Sequence, residues 1–221
     1  MLTVWDDIFA TRAWGRWPAE EAVRAVASLG AGARLRILEI GSGAGAQLWY
    51  AEHEGHVAVG VDRSRVGAQR ALERLREECL PTRVAVADAL ALPLADSSFD
   101  VVLDVEALAY IGEDETAAAW HEVARVLRPA SHFVSIAFTP LTYAWSDGEG
   151  TARRIGSRSV DAITSGPLAG TGRTAFLDEA TARGLAAEVG LDVVDLQRRG
   201  RTAGPSRVWI DELVLTARTP A

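Results

Sequence analysis

Three short stretches carry residue types able to hold a nucleotide-like ligand. In Leu35-Arg36-Ile37-Leu38-Glu39-Ile40-Gly41-Ser42-Gly43-Ala44-Gly45 an apolar run ends in three alternating glycines, and a helical pattern follows. Glycine lets the backbone turn sharply and approach a ligand closely, and the first turn of a helix presents N–H groups that no helical carbonyl satisfies. Taken alone this is a nucleotide-type site and nothing finer, because Gly41-x-Gly43-x-x-Ala46 also satisfies the dinucleotide fingerprint. Roughly 20 residues later, the spacing at which dinucleotide sites carry an acid, Val59-Gly60-Val61-Asp62 ends the next apolar run. A carboxylate there can accept both hydroxyls of a ribose, each charge-assisted bond contributing about 1.5–3 kcal/mol. A third run ends in Val86-Ala87-Asp88-Ala89, with Leu92-Pro93-Leu94 and Asp96-Ser97-Ser98-Phe99-Asp100-Val101-Val102 behind it.

These acids need a scaffold that brings successive strand ends together. Short runs rich in Val, Ile and Leu fall at Leu35–Ile40, Val57–Val61, Val84–Ala87, Val101–Leu103 and Phe133–Phe138, as expected of strands buried on both faces. Helical spacing lies between them at Ala46–Glu54, Arg65–Glu78 and Glu115–Leu127. The alternation predicts an α/β fold, a doubly wound sheet with right-handed crossovers. Leu177–Val189 reads as a further helix stopped by Gly190, and Leu191–Arg198 and Arg207–Thr216 as an antiparallel pair closing one edge. Residues 1–30 read as an N-terminal helical extension, with Trp5, Ile8 and Phe9 on one face and a second helix over Ala19–Leu29. Residues 139–175, rich in Gly, Ser, Thr and Arg, read as an insertion or lid after strand five within one domain spanning 1–221.

The Asp88-to-Asp100 phrase is what separates the ligand classes. With the glycine loop before it and Glu122-Val123-Ala124-Arg125-Val126-Leu127-Arg128-Pro129 after it, the sequence resembles class I S-adenosylmethionine-dependent methyltransferases, in the small-molecule branch that includes the ubiquinone and menaquinone C-methyltransferases. The likeness runs from Arg34 to Phe138, and Ala130 stands where that family usually has glycine. It implies a Rossmann-like sheet of about seven strands and S-adenosylmethionine as cofactor, leaving as S-adenosylhomocysteine. Glu39, Gly41, Ser42, Gly43 and Gly45 would then form the methionine-side loop, Asp62 would hold the ribose, Asp88 with Ala89 the adenine, Arg63 would flank the nucleoside, and Asp104 would line the methionine end.

Beyond strand four lie Glu106 and Tyr110, the candidate bases for a hydroxyl nucleophile. Trp14-Gly15-Arg16-Trp17 is a candidate cover for the cleft, and Arg153, Arg154, Arg158 and Arg173 read as a solvated loop with an anion-reading alternative. The expected reaction is O- or C-methylation of a small molecule. Trp5-Asp6-Asp7-Ile8-Phe9 with Trp14-Gly15 resembles methyltransferases of sugar pathways. Two alternatives stand beside it: an inactive cofactor-binding subunit, and an NAD(P)-dependent oxidoreductase. The latter is disfavoured because a chain without lysine has no Tyr-x-x-x-Lys pair.

A formal net charge of −7 argues against nucleic-acid binding. No run approaches the roughly 20 apolar residues of a membrane span. The lone Cys79, read as the end of a helix, points to a reducing compartment, so a cytoplasmic monomer or homodimer is expected, with no metal site among the scattered histidines.

Overall fold

The computed structural model describes residues 3–81, 83–146 and 150–221. Two helices, α1 (Val4–Thr11) and α2 (Glu20–Leu29), precede the alternating core of β1 (Arg36–Ile40), α3 (Ala46–His53), β2 (Val57–Asp62), α4 (Arg65–Glu77), β3 (Val84–Val86), β4 (Phe99–Val105), α5 (Thr116–Val126) and β5 (Leu127–Phe138). There follow α6 (Tyr143–Ser146), a small antiparallel sheet of β6 (Arg153–Arg154), β7 (Ser159–Asp161) and β8 (Thr174–Ala175), then α7 (Glu179–Glu188), β9 (Asp192–Ala203) and β10 (Val208–Arg218). The main sheet has seven strands in the order β3-β2-β1-β4-β5-β10-β9, parallel through β5 and antiparallel at β10 and β9.

Both faces of the parallel strands are covered, which is why they read as unbroken apolar runs. Leu38, Ile40 and Val102 point to the side packed by Trp120 and Val123 of α5 and by Ala182 and Leu185 of α7. Ile37, Val101 and Leu103 point the other way, onto Val26 of α2, Leu48 of α3 and Leu75 of α4. The strands all deliver their carboxyl ends to one edge, and reversal of strand order between β1 and β4 opens a crevice there.

Three local readings are corrected. The fifth strand begins six residues early, at Leu127, because Arg128–Ser131 is extended by pairing with the chain's end: Ala130 N–H donates to Pro220 O at 2.9 Å and Ser131 N–H to Thr219 Oγ1 at 2.9 Å. Ala130 takes φ +58, the left-handed region that favours glycine, so the alanine there carries a small strain. Cys79 is not helical: it sits just past the C-cap of α4 with φ +55, exposed.

The described residues of segment 139–175 do not form a solvated loop. Tyr143, Val160, Ile163, Leu168 and Phe176 form their own buried cluster with Phe138 and Ile210. Its arginines are matched locally, Arg153 to Asp161 at 2.6 Å and Arg173 to Asp114 at 3.6 Å, while Arg154 lies 3.9 Å over the Trp145 ring. Among the described residues no helix is long and apolar enough to cross a membrane.

Trp120 is the largest fully buried side chain, edge-on to Phe133 at 5.1 Å between ring centroids. Trp120→Ala is expected to lower the unfolding free energy by about 3–5 kcal/mol in urea titrations, with no comparable loss for the exposed Trp209→Ala.

Candidate functional site

The crevice at the sheet's carboxyl edge is a cavity of about 240 Å³ lined by the tips of β1, β2 and β4, the segment after β3, and the N-terminal extension. Its architecture hangs on Asp62. One Asp62 carboxylate oxygen accepts the Gly43 N–H at 2.7 Å and the other the Ser64 N–H at 2.7 Å, tying the glycine loop to the end of β2. Burial raises its pKa, and the two N–H donors offset part of that. Gly41 is required by two facts: its φ is +69, and a Cβ there would lie 2.1 Å from the Cβ of Ala107, just past β4.

Ser64 passes the connection on. It caps α4 by accepting the Gly67 N–H at 3.0 Å, and its hydroxyl donates to Asp6 at 2.7 Å. Asp6 also accepts from Val66 N–H at 3.2 Å and from Thr3 N–H at 2.7 Å, closing a capping box on α1. Burial opposes the charge, but these donors outweigh it and hold the Asp6 carboxyl at about 2. Thus docked, α1 presses Phe9 onto the loop, where a Cβ on Gly43 would meet its ring at 2.8 Å. Trp5 then packs edge-on against Trp14 at 5.5 Å and Tyr110 at 4.6 Å. Arg70 and Arg74 of α4 strap down the following segment through the carbonyls of Ala10, Arg12 and Arg16.

Polar atoms are left over on the walls. Glu39 Oε2, Ser42 Oγ and the Tyr110 hydroxyl are buried without a hydrogen-bond partner in the protein, and all three residues line this cavity. Burial first, and the Asp62 charge second, push the Glu39 carboxyl well above its usual range. Such groups are costly unless a ligand satisfies them. At the β4 exit, Glu106 sits at φ +60, and its N–H donates to Ile136 O at 2.8 Å. Burial first, and the charge of Glu212 on β10 second, raise its pKa. Arg201 of β9 lies 2.9 Å from Glu212 and 3.8 Å from Glu106.

Residues 38–135 match a family described as a methyltransferase domain. Over that span the chain is similar to methyltransferase domains. It is 31% identical over 131 residues to methyltransferase GfsG of Streptomyces halstedii, an alignment covering 52% of this chain and 46% of that protein. The chain thus spans about half the length of the curated relatives it matches. The fold is shared with a SAM-dependent methyltransferase of Methanosarcina mazei, with a TM-score of 0.69, 19% identity, and coverage of 85% and 93% of the two chains. It is shared also with the 1,6-didemethyltoxoflavin-N1-methyltransferase of Burkholderia thailandensis, solved with its substrate and S-adenosylhomocysteine, at a TM-score of 0.66, 18% identity, and coverage of 91% and 78%.

The cleft collects Glu39, Gly41, Ser42, Gly43, Asp62, Arg63, Asp88, Ala89, Glu106 and Tyr110, together with Trp14 from the extension. Two expected residues lie elsewhere. Gly45 is the left-handed N-cap of α3, packed against Ala71 of α4, where a Cβ would come within 2.9 Å. Asp104 is buried beneath the cleft floor, accepting from Ala107 N–H at 2.9 Å, Leu108 N–H at 3.0 Å and Ser135 Oγ at 2.7 Å. Burial raises it to about 6. It shapes the turn that presents Glu106 and does not reach the cavity. None of the described residues in 139–175 lines the cleft, so that segment is no direct lid. It is tied to the post-β4 turn through Glu113, which accepts from Ser157, Arg158 and Ser159.

Sequence reading missed Trp5 and Phe9 as walls, Asp6 as the docking acid, and the Glu212–Arg201 pair. Only Asp6 had a local signal, the Thr3-x-x-Asp6 capping box. Because its folded pKa lies below the ordinary 3.8, at about 2, its stabilising contribution is present above 3.8 and lost as pH falls through about 2. Asp6→Asn is therefore expected to cost roughly 1–3 kcal/mol at neutral pH, with the gap to wild type closing in acid; a pH-independent gap in unfolding experiments would contradict this.

Proposed function

We propose that the chain transfers the methyl group of S-adenosylmethionine to a hydroxyl on a small, ring-bearing acceptor, with Glu106 as proton acceptor. The observation that carries this reading is that acids from successive strand ends, Glu39, Asp62 and Asp88, line one cleft together with Glu106. The unpartnered Glu39 carboxylate and Ser42 hydroxyl suit the ammonium and carboxylate of an amino-acid tail. Asp62 spends one lone pair of each oxygen on backbone N–H groups and keeps the others for a ribose diol. Asp88, exposed at the cleft and accepting only the Leu90 N–H at 3.0 Å among its described bonds, has acceptor capacity left that suits a purine amino group. Arg63 and the rings of Trp14 and Trp17 cover the nucleoside side.

When bound, the cofactor supplies a methyl group on a positively charged sulfur, so the protein's task is alignment and exclusion of water. The acceptor oxygen forms its bond to carbon as the carbon–sulfur bond breaks with its electrons remaining on sulfur. The hydroxyl proton passes to the Glu106 carboxylate. Trp5 and Tyr110 offer aromatic faces beside that carboxylate, which suits a sugar or phenol ring.

Calorimetry separates this reading from its rivals: micromolar binding of S-adenosylmethionine and S-adenosylhomocysteine is expected, with none of NAD. Asp88→Ala should weaken both by roughly 10-fold or more, one charge-assisted bond. NAD binding, or an unchanged affinity in Asp88→Ala, would overturn the assignment. A screen of hydroxylated acceptors with detection of S-adenosylhomocysteine then tests turnover, and Glu106→Gln should remove most of it.

A further inference from the structure

We propose that the Tyr110 hydroxyl selects the acceptor by donating to a second oxygen beside the one that is methylated, so that the cleft takes rings bearing two adjacent oxygens. The inference deepens the reading above and rests on it, since it places the methylated hydroxyl at Glu106. Among the described residues lining the cleft, three carry a buried side-chain atom with no hydrogen-bond partner: Glu39 Oε2, Ser42 Oγ and the Tyr110 hydroxyl. The first two are taken up by the amino-acid tail of the methyl donor. The Tyr110 hydroxyl has no role in that scheme, and a buried phenol O–H left unpaired is costly.

This hydroxyl has little freedom to find a partner within the protein. The Tyr110 ring packs edge-on against Trp5 at 4.6 Å and Phe138 at 6.2 Å between centroids. A flip of the ring about its own axis leaves the hydroxyl oxygen where it was. The backbone beneath is braced as well. Tyr110 ends a single 3₁₀ turn, Leu108–Tyr110, and its N–H donates to Ala107 O at 3.1 Å. Buried Asp104 accepts from Ala107 N–H and Leu108 N–H at the start of that turn. Glu106, just before it, is tied to β5 through Ile136 O at 2.8 Å. Glu106 and Tyr110 therefore stand at the two ends of one braced turn in the cleft wall, a placement that suits neighbouring substituents of one ring.

The chemistry decides which oxygen the hydroxyl meets. The attacking oxygen directs a lone pair at the methyl carbon and its proton at Glu106. A further donor on that oxygen would bind the alcohol better than the ether it becomes, so it would favour the ground state over the transition state. On a neighbouring oxygen the same bond is unchanged by the reaction, and it holds the ring in register. A ring lacking that oxygen would bury the Tyr110 hydroxyl unpaired, which is a means of rejecting it.

The test is calorimetry on the full chain loaded with S-adenosylhomocysteine, using probes that differ by one oxygen. Catechol with phenol represents an aromatic source of the paired oxygens, and a methyl hexopyranoside with its monodeoxy analogues represents a sugar source. In at least one set the two-oxygen probe should bind roughly 10-fold or more tightly than its partner. Tyr110→Phe should abolish that preference and leave the affinity for S-adenosylhomocysteine unchanged. Because it removes an unpaired buried group, it should also leave the urea midpoint of the ligand-free protein unchanged or raised.

A preference that survives in Tyr110→Phe, or no preference in either set, overturns the proposal. Weakened S-adenosylhomocysteine binding in Tyr110→Phe would give the hydroxyl to the cofactor, and a lowered urea midpoint would give it a partner inside the protein. Either result also overturns it. Failure of wild type to bind S-adenosylhomocysteine removes the methyltransferase reading and this proposal together, whereas cofactor binding without a two-oxygen preference removes this proposal alone.

Discussion

The cleft depends on Asp62 remaining where its two backbone donors hold it. Asp62 joins the glycine loop after β1 to the turn after β2, extending the hold that Gly41 and Ser42 N–H already have on Val61 O to the Gly43 and Ser64 N–H groups. Because the acid is buried, its hydrogen bonds are stronger than they would be in water, and losing one would leave an orphaned donor. Ser64, held by that contact, caps α4 and fixes Asp6, so the N-terminal helix is aligned on the loop through one chain of polar contacts. Phe9 and Trp5 are positioned as a consequence. The whole extension thereby becomes a wall of the site.

That arrangement concentrates negative charge in one cleft, with Glu39 and Asp62 buried in its wall. Glu39, Asp62, Asp88 and Glu106 line the cavity against a single lining cation, Arg63. The imbalance is tolerable only if protons or a ligand cation offset it, and the raised proton affinities of Glu39 and Glu106 are its expression. A cationic ligand relieves it, and a neutral product no longer does. A carboxyl that gains a proton as the cation's charge disappears keeps the site's net charge constant, which favours Glu106 over a fixed charge at that position.

Most of the sheet was legible because burial on both faces keeps β1, β2, β4 and the second half of β5 mostly apolar. The acids at their ends were legible because they stand at fixed offsets after such runs. What escaped reading depends on contacts between distant parts of the chain. Arg128-Pro129-Ala130-Ser131 has no apolar pattern and is extended only because Thr219 and Pro220 return beside it. Asp104 sits at a strand end like Asp62, and nothing local shows that its side chain turns toward Ser135 and not toward the cleft. Glu212 lies in the apolar pattern of β10, and only the β10–β5 register, which sets it opposite Phe138, brings it near Glu106.

Part of the cleft wall, and the arginine–glutamate pair behind it, lie outside the family match. Residues 38–135 contain the glycine loop, Asp62, Asp88 and Glu106, the parts to which we assign the cofactor and the reacting proton. Trp5, Phe9 and Trp14 come before that span, and Arg201 and Glu212 after it. Segment 139–175 touches the site only indirectly, by bracing the turn that bears Tyr110 through Glu113 and by accepting Arg12 on Ala169 O at 3.0 Å. A cofactor common to many enzymes needs the same few groups each time, whereas each acceptor needs its own shape. On this division, the likeness to relatives over half the chain covers the residues we assign to the methyl donor, and it leaves Trp5, Phe9 and Trp14 of the cleft wall outside.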